Sequence, residues 1–143
     1  MYILKVEHSF DSAHFLANYK GKCGNIHGHR WKVEIHVQSE SLVEGGQLDG
    51  MVIDFGDLKK DIISMVDYYD HVLIIENNTM REKSLNSLKE DGFRIIEVNF
   101  RPTAENFAAF FYKAIKNMGY DARKVTVYET PNNSATYEKS GVK

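Results

Sequence analysis

Cysteine is nearly absent from this chain: Cys23 stands alone among 143 residues, and proline occurs only twice. One thiol cannot make an internal disulfide, so a stapled secreted scaffold is excluded and a reducing compartment leaves the thiol free for chemistry. Excess charge is lacking as well. A formal net charge of -2 offers no basic footprint for nucleic acid, and no nucleic-acid partner is expected. Nor does any apolar run approach the length of a signal h-region or a membrane helix. With an amino terminus that opens directly as a strand, the expected location is cytoplasmic, without a membrane partner. The sequons Asn77-Asn78-Thr79 and Asn132-Asn133-Ser134 are accordingly expected to carry no glycan. Repeats, low-complexity tracts and Gly/Pro/Ser-rich linkers are missing too. The expectation is one domain over residues 1–143, with 43% apolar residues to fill its core.

What the chain does have is histidine. Two of six lie in Cys23-Gly24-Asn25-Ile26-His27-Gly28-His29, downstream of Ser12-Ala13-His14. From Arg30 the residues alternate, Trp31, Val33, Ile35 and Val37 apolar, Lys32, Glu34, His36 and Gln38 polar, which marks a half-buried strand. Carrying the parity backwards puts His27 and His29 on the inward face, pointing the same way, with Gly28 leaving room for close approach. His36 has the opposite parity and is expected to face solvent. Tyr2, Leu4, Val6 and Phe10 share a second alternation, and His14 follows on the same parity if the chain stays extended. Three neutral imidazoles with an open fourth position suit a catalytic zinc ion. Cys23 is then either a free base beside it or a fourth ligand closing a structural site.

Beyond a loop at Glu44 to Gly50, a helix is expected with Asp54 as N-cap and Phe55, Leu58, Ile62, Met65, Val66 and Tyr69 at helical spacing. A second opens at Pro102-Thr103, carries Phe107, Phe110, Phe111, Ala114, Ile115 and Met118 as its core stripe, and ends at Gly119. Between them Thr79 to Glu90 is weakly helical and Phe93 to Phe100 extended, while Arg123 to Thr130 and Ala135 to Lys139 read as a final hairpin. The expected class is α+β, a four-stranded antiparallel sheet with two main helices on one face. Such an open sheet leaves edges to be paired, and a homo-oligomer that closes a barrel is one solution.

Two further groups carry chemistry. Asp70-His71 pairs a carboxylate with an imidazole for proton transfer near neutral pH, provided a turn lets adjacent residues cooperate; otherwise His71 simply sits at a helix C-terminus. Glu129 shares parity with Val125 and Val127, so its carboxylate needs a partner, either a rim cation or the paired N–H groups of a guanidine-like heterocycle.

Ser12-Ala13-His14, the C-x3-H-G-H motif, Ile53-Asp54-Phe55, Asp70-His71, Pro102-Thr103-Ala104-Glu105-Asn106 and Glu129-Thr130 together resemble the 6-pyruvoyl-tetrahydropterin synthase family. They follow that family's order over nearly the whole chain. The short gap from Cys23 to His27 resembles the bacterial 6-carboxytetrahydropterin synthase branch of queuosine biosynthesis. The resemblance implies Zn2+ held by His14, His27 and His29, with Cys23 as catalytic base and Asp70 with His71 as proton relay. It implies Glu129 as pterin anchor and Thr103 in the pterin-binding segment. It also implies the tunnelling fold: an oligomeric barrel, a hexamer or tetramer with sites at subunit interfaces. The implied reaction converts 7,8-dihydroneopterin triphosphate to 6-carboxytetrahydropterin with loss of triphosphate and acetaldehyde. The pyruvoyl synthase reaction and a non-catalytic zinc- or pterin-binding module are the alternatives. The stretch from Ile74 to Arg101 looks longer than in compact members of the family.

Overall fold

The computed structural model describes residues 1–138, 140 and 141; Lys139, expected to end the last strand, lies outside the described residues. Two long strands, β1 (Tyr2–His14) and β2 (His27–Ser39), pair antiparallel along their full length, from Tyr2 opposite Ser39 to His14 opposite His27. After β2 come α1 (Phe55–Asp67), β3 (Val72–Glu76), α2 (Glu82–Glu90), β4 (Ile95–Val98), α3 (Ala104–Asn117), β5 (Ala122–Thr130) and β6 (Asn133–Glu138). They build one six-stranded sheet in the order β4-β3-β1-β2-β5-β6.

This corrects the expectation of a four-stranded, wholly antiparallel sheet, while the two main helices, α1 and α3, share one face as expected and the weakly helical Thr79 to Glu90 contains α2. The antiparallel strands β1, β2, β5 and β6 are joined by β3 and β4, which run parallel to β1 and to each other, with α2 as the crossover between them. Val72, Ile74 and Ile75 are buried, as expected for parallel strands with few positions open to water. Nor do all helices share a face. α2 buries no side chain fully, and its Leu88 lines a cavity with Ala13 and Leu73, whose parity is opposite to that of the core.

α1 and α3 form the other layer. Asp54 caps α1 by accepting from the N–H groups of Gly56 (2.6 Å) and Asp57 (3.4 Å), and Thr103 caps α3 by accepting from that of Asn106 (3.3 Å). Gly119, at φ 96°, takes the left-handed position that ends α3. Leu58, Ile62 and Val66 of α1 and Phe107, Phe111 and Ile115 of α3 pack on Val6, Phe10, Trp31, Val33, Ile35, Val125 and Val127 of the sheet. Among the described residues no helix is long and apolar enough to cross a membrane.

Candidate metal and thiol site

The register of β1 and β2 brings the three histidines together. His14 lies opposite His27 and Ser12 opposite His29, so all three rings emerge on one face at one end of the strand pair. Each contributes a nitrogen within 4.8 Å of the other two. Beneath them, Trp31 is fully buried, its ring 4.9 Å from that of His14 and 5.4 Å from that of His29, and stacks on Phe10. Two sides of the cluster therefore rest on a dry aromatic floor.

Backbone carbonyls decide which nitrogen each ring presents. His14 Nδ1 donates to the Pro102 carbonyl at 2.7 Å, and His27 Nδ1 donates to that of Asn25 at 2.7 Å. A carbonyl only accepts, so the neutral form of either ring keeps its proton on Nδ1 and a lone pair on Nε2. Those two Nε2 atoms face each other at 3.1 Å. Converging lone pairs repel unless a cation lies between them, and the spacing approaches the ~3.4 Å edge of a tetrahedron with ~2.1 Å zinc–nitrogen bonds. His29 Nε2 is buried with no hydrogen-bond partner among the described residues. The donor set therefore fits a divalent metal of zinc type. Burial pushes His14 down to about 4, and it also lowers His29, against the opposing pull of Glu129. Both rings are thus neutral and ligand-ready at pH 7.

Glu129 is brought to the cluster. Its Oε1 lies 3.6 Å from His29 Nε2, and both residues line a cavity of about 510 Å³ with Lys32 and Tyr128, where β2 and β5 diverge. Thr103 spends its hydroxyl on the α3 cap, and the next residues, Ala104 and Glu105, share a smaller cavity of about 150 Å³ with Glu129.

Cys23 sits half-buried in a short 3-10 turn, Lys22–Gly24, just before β2. The group of nitrogens within 4.8 Å holds the three histidines and not its sulfur.

Asp70 and His71 do cooperate, through the turn the pair requires: His71 has φ 54° and its Nδ1 meets Asp70 Oδ2 at 2.7 Å. The other Asp70 oxygen accepts the Asp11 N–H at 2.7 Å, and that bond together with His71 holds the Asp70 carboxyl below its ordinary value. This cluster faces away from the trio. The Asp11 carboxylate, which lies within 4.8 Å of the ligand atoms of Asp70 and His71, has the opposite parity to Ser12 and His14, so within one chain His71 lies on the other face of the sheet from the three histidines.

Sequence reasoning missed the Pro102 and Asn25 carbonyls, because a carbonyl has no residue-type signature. His36 also differs from expectation. It is half-buried rather than open, its Nδ1 is buried without a partner among the described residues, and burial lowers its basicity.

Taken together, an α+β layer pair carries three convergent histidines that could hold a metal ion. The chain belongs to the 6-pyruvoyl tetrahydropterin synthase family, whose model matches residues 3–140. It is 32% identical to a 6-carboxy-5,6,7,8-tetrahydropterin synthase of Haemophilus influenzae, over 97% of this chain and 100% of that protein. Among solved structures, 6-pyruvoyl tetrahydropterin synthase of Caenorhabditis elegans is similar with TM-score 0.65 and 27% identity, covering 98% of both chains. A protein from Wolinella succinogenes shares the fold with TM-score 0.77 at 21% identity, covering 97% of this chain and 98% of that one.

Proposed function

We propose that residues 1–143 act as a single catalytic domain, a cytoplasmic zinc-dependent 6-carboxytetrahydropterin synthase serving queuosine (7-deazaguanine) biosynthesis. The observation that carries this reading is the convergence of His14, His27 and His29 within 4.8 Å of one another, next to the loop that bears the free thiol, with Glu129 3.6 Å from His29 at a cavity. The naming of its bacterial relatives supports the carboxy product over the pyruvoyl one.

His14, His27 and His29 would hold the ion, which when bound supplies Lewis-acid polarisation of the substrate side-chain hydroxyls. Glu129 accepts two parallel N–H bonds from the pterin and orients the side chain toward the histidines. The 103–105 segment closes the ring pocket. Cys23, as thiolate, removes a proton from the side chain, and its place outside the histidine group keeps it free to do so. His71 returns a proton, oriented by Asp70. Because His71 lies across the sheet from the trio of its own chain, it serves the trio of a neighbouring copy in a homo-oligomer, which places the complete site between subunits.

Incubation of the purified zinc protein with 7,8-dihydroneopterin triphosphate tests the reaction. The expected products are 6-carboxytetrahydropterin by mass and one acetaldehyde per turnover. A pyruvoyl product without acetaldehyde would replace the carboxy reading, and no conversion by a fully zinc-loaded sample would leave a binding module.

A further inference from the structure

The segment that enters α3 does two things at once. Pro102 holds His14 through its carbonyl, and the residue before it reaches the loop that carries Cys23. Arg101 donates from Nη2 to the Ala17 carbonyl at 3.0 Å, and its guanidinium stands 5.8 Å from the centre of the Tyr19 ring. Its backbone is fixed in turn, because its carbonyl accepts from the Thr103 N–H (2.8 Å) and from Asn106 Nδ2 (2.9 Å). No carboxylate among the described residues forms an ion pair with it.

The loop it grips is compact. The Leu16 N–H donates to the Cys23 carbonyl at 2.9 Å, which closes residues 16–23 into a ring. Tyr19 lies directly on the turn bearing the thiol. A Cβ added to Gly24 would fall 2.8 Å from the Tyr19 carbonyl oxygen, and one added to Gly21 would fall 2.9 Å from its ring. Displacement of Ala17 and Tyr19 therefore moves Cys23. On its far side the loop runs through Asn25, whose carbonyl holds His27.

We propose that Arg101 is the positioning residue for Cys23: adjacent residues, Arg101 and Pro102, fix the thiol loop and the metal-binding histidines in one frame. A base must sit within hydrogen-bond reach of the proton it takes, and an error near 1 Å costs on the order of 100-fold in rate. The planar guanidinium suits the task because it bonds a carbonyl and packs on an aromatic ring at once, which an ammonium does less well. The inference rests on the reading of Cys23 as base.

Because Cys23 is the chain's one cysteine, a thiol reagent such as 5,5′-dithiobis(2-nitrobenzoate) reports on this loop alone. In zinc-loaded Arg101→Ala the expected result is a kcat lower by roughly 10- to 100-fold with KM within about twofold, faster thiol modification, and zinc still at one per chain. Arg101→Lys should fall between the two in both kcat and thiol rate, and it decides the matter should the alanine variant fold poorly. Wild-type kcat and thiol rate in a folded Arg101 variant would overturn the proposal. So would a loss of zinc with an unaltered thiol rate, which would assign Arg101 to the histidines instead. Cys23→Ala separates the two readings: full turnover there would remove the base assignment, while the thiol rates in the Arg101 variants would still show whether Arg101 holds the loop.

Discussion

Two histidine clusters sit on opposite faces of the same sheet, and they are built on opposite principles. His14, with 1% of its surface exposed, and His29 stand on the Trp31 ring, while His14 and His27 have their Nδ1 protons pinned to backbone carbonyls and their Nε2 atoms facing each other. His71 is 77% exposed at its side chain and shares its neighbourhood with two carboxylates and a guanidinium. Convergence on an aromatic floor makes a set that could hold a metal ion, whereas exposure beside carboxylates leaves His71 open to whatever docks against it. The contrast shows that residue type alone does not assign a histidine its chemistry.

The sharpest way to break the contrast is to remove a ligand. His29→Ala should abolish both bound zinc, read by metal analysis, and turnover, whereas His71→Ala should keep one zinc per chain. Equal zinc in the two variants would make the clusters alike. His71→Ala should instead lose roughly 10²–10⁴-fold in kcat. Mixing it with Cys23→Ala after denaturation and joint refolding should restore activity, since about a quarter of randomly paired interfaces would then hold both groups. No recovery would confine the relay to one chain.

The smallest effect concerns stability in acid. With His14 at about 4 in the folded chain against an ordinary 6.5, the unfolded chain binds more protons between those values. Stability is then complete above pH 6.5 and falls as pH drops toward 4, by on the order of 3 kcal/mol in the metal-free protein, with His29 shifted in the same direction. The Asp70 carboxyl, lowered by the Asp11 N–H and by His71, contributes stability that is lost only below the ordinary carboxylate value of 3.8. Melting of the metal-free chain from pH 7 to 4 should thus show a shallower slope in His14→Gln, with the remainder carried by His29, and an unchanged slope in Asp70→Asn; the reverse pattern would exchange the roles of the clusters.

Much of this was legible in the sequence because strand parity is strict. The alternation after Arg30 places His27 and His29 on the core face, that of β1 places His14 there, and the pairing of His14 with His27 joins the two. The caps at Asp54 and Thr103 were legible for the same local reason. The parallel arm was not. Val72 to Ile75 is a short unbroken apolar run, which periodicity cannot distinguish from a buried helical turn; Phe93 to Phe100 does read as extended and contains β4, but its parallel pairing with β3 across an intervening helix has no local signal. The side on which His71 falls depends on that arm, so the separation of the two clusters was hidden with it.

The long, perfectly matched pairing of β1 with β2 has one more consequence. A slip of a single residue in a sheet turns every side chain to the other face, and here it would scatter the three imidazoles as well as invert the core. An ion gripped by His14, His27 and His29 therefore rewards one alignment of the two strands and no other. A metal ion held there would act as a proofreader of strand pairing, reading from the far end of the ladder whether the chain was zipped correctly.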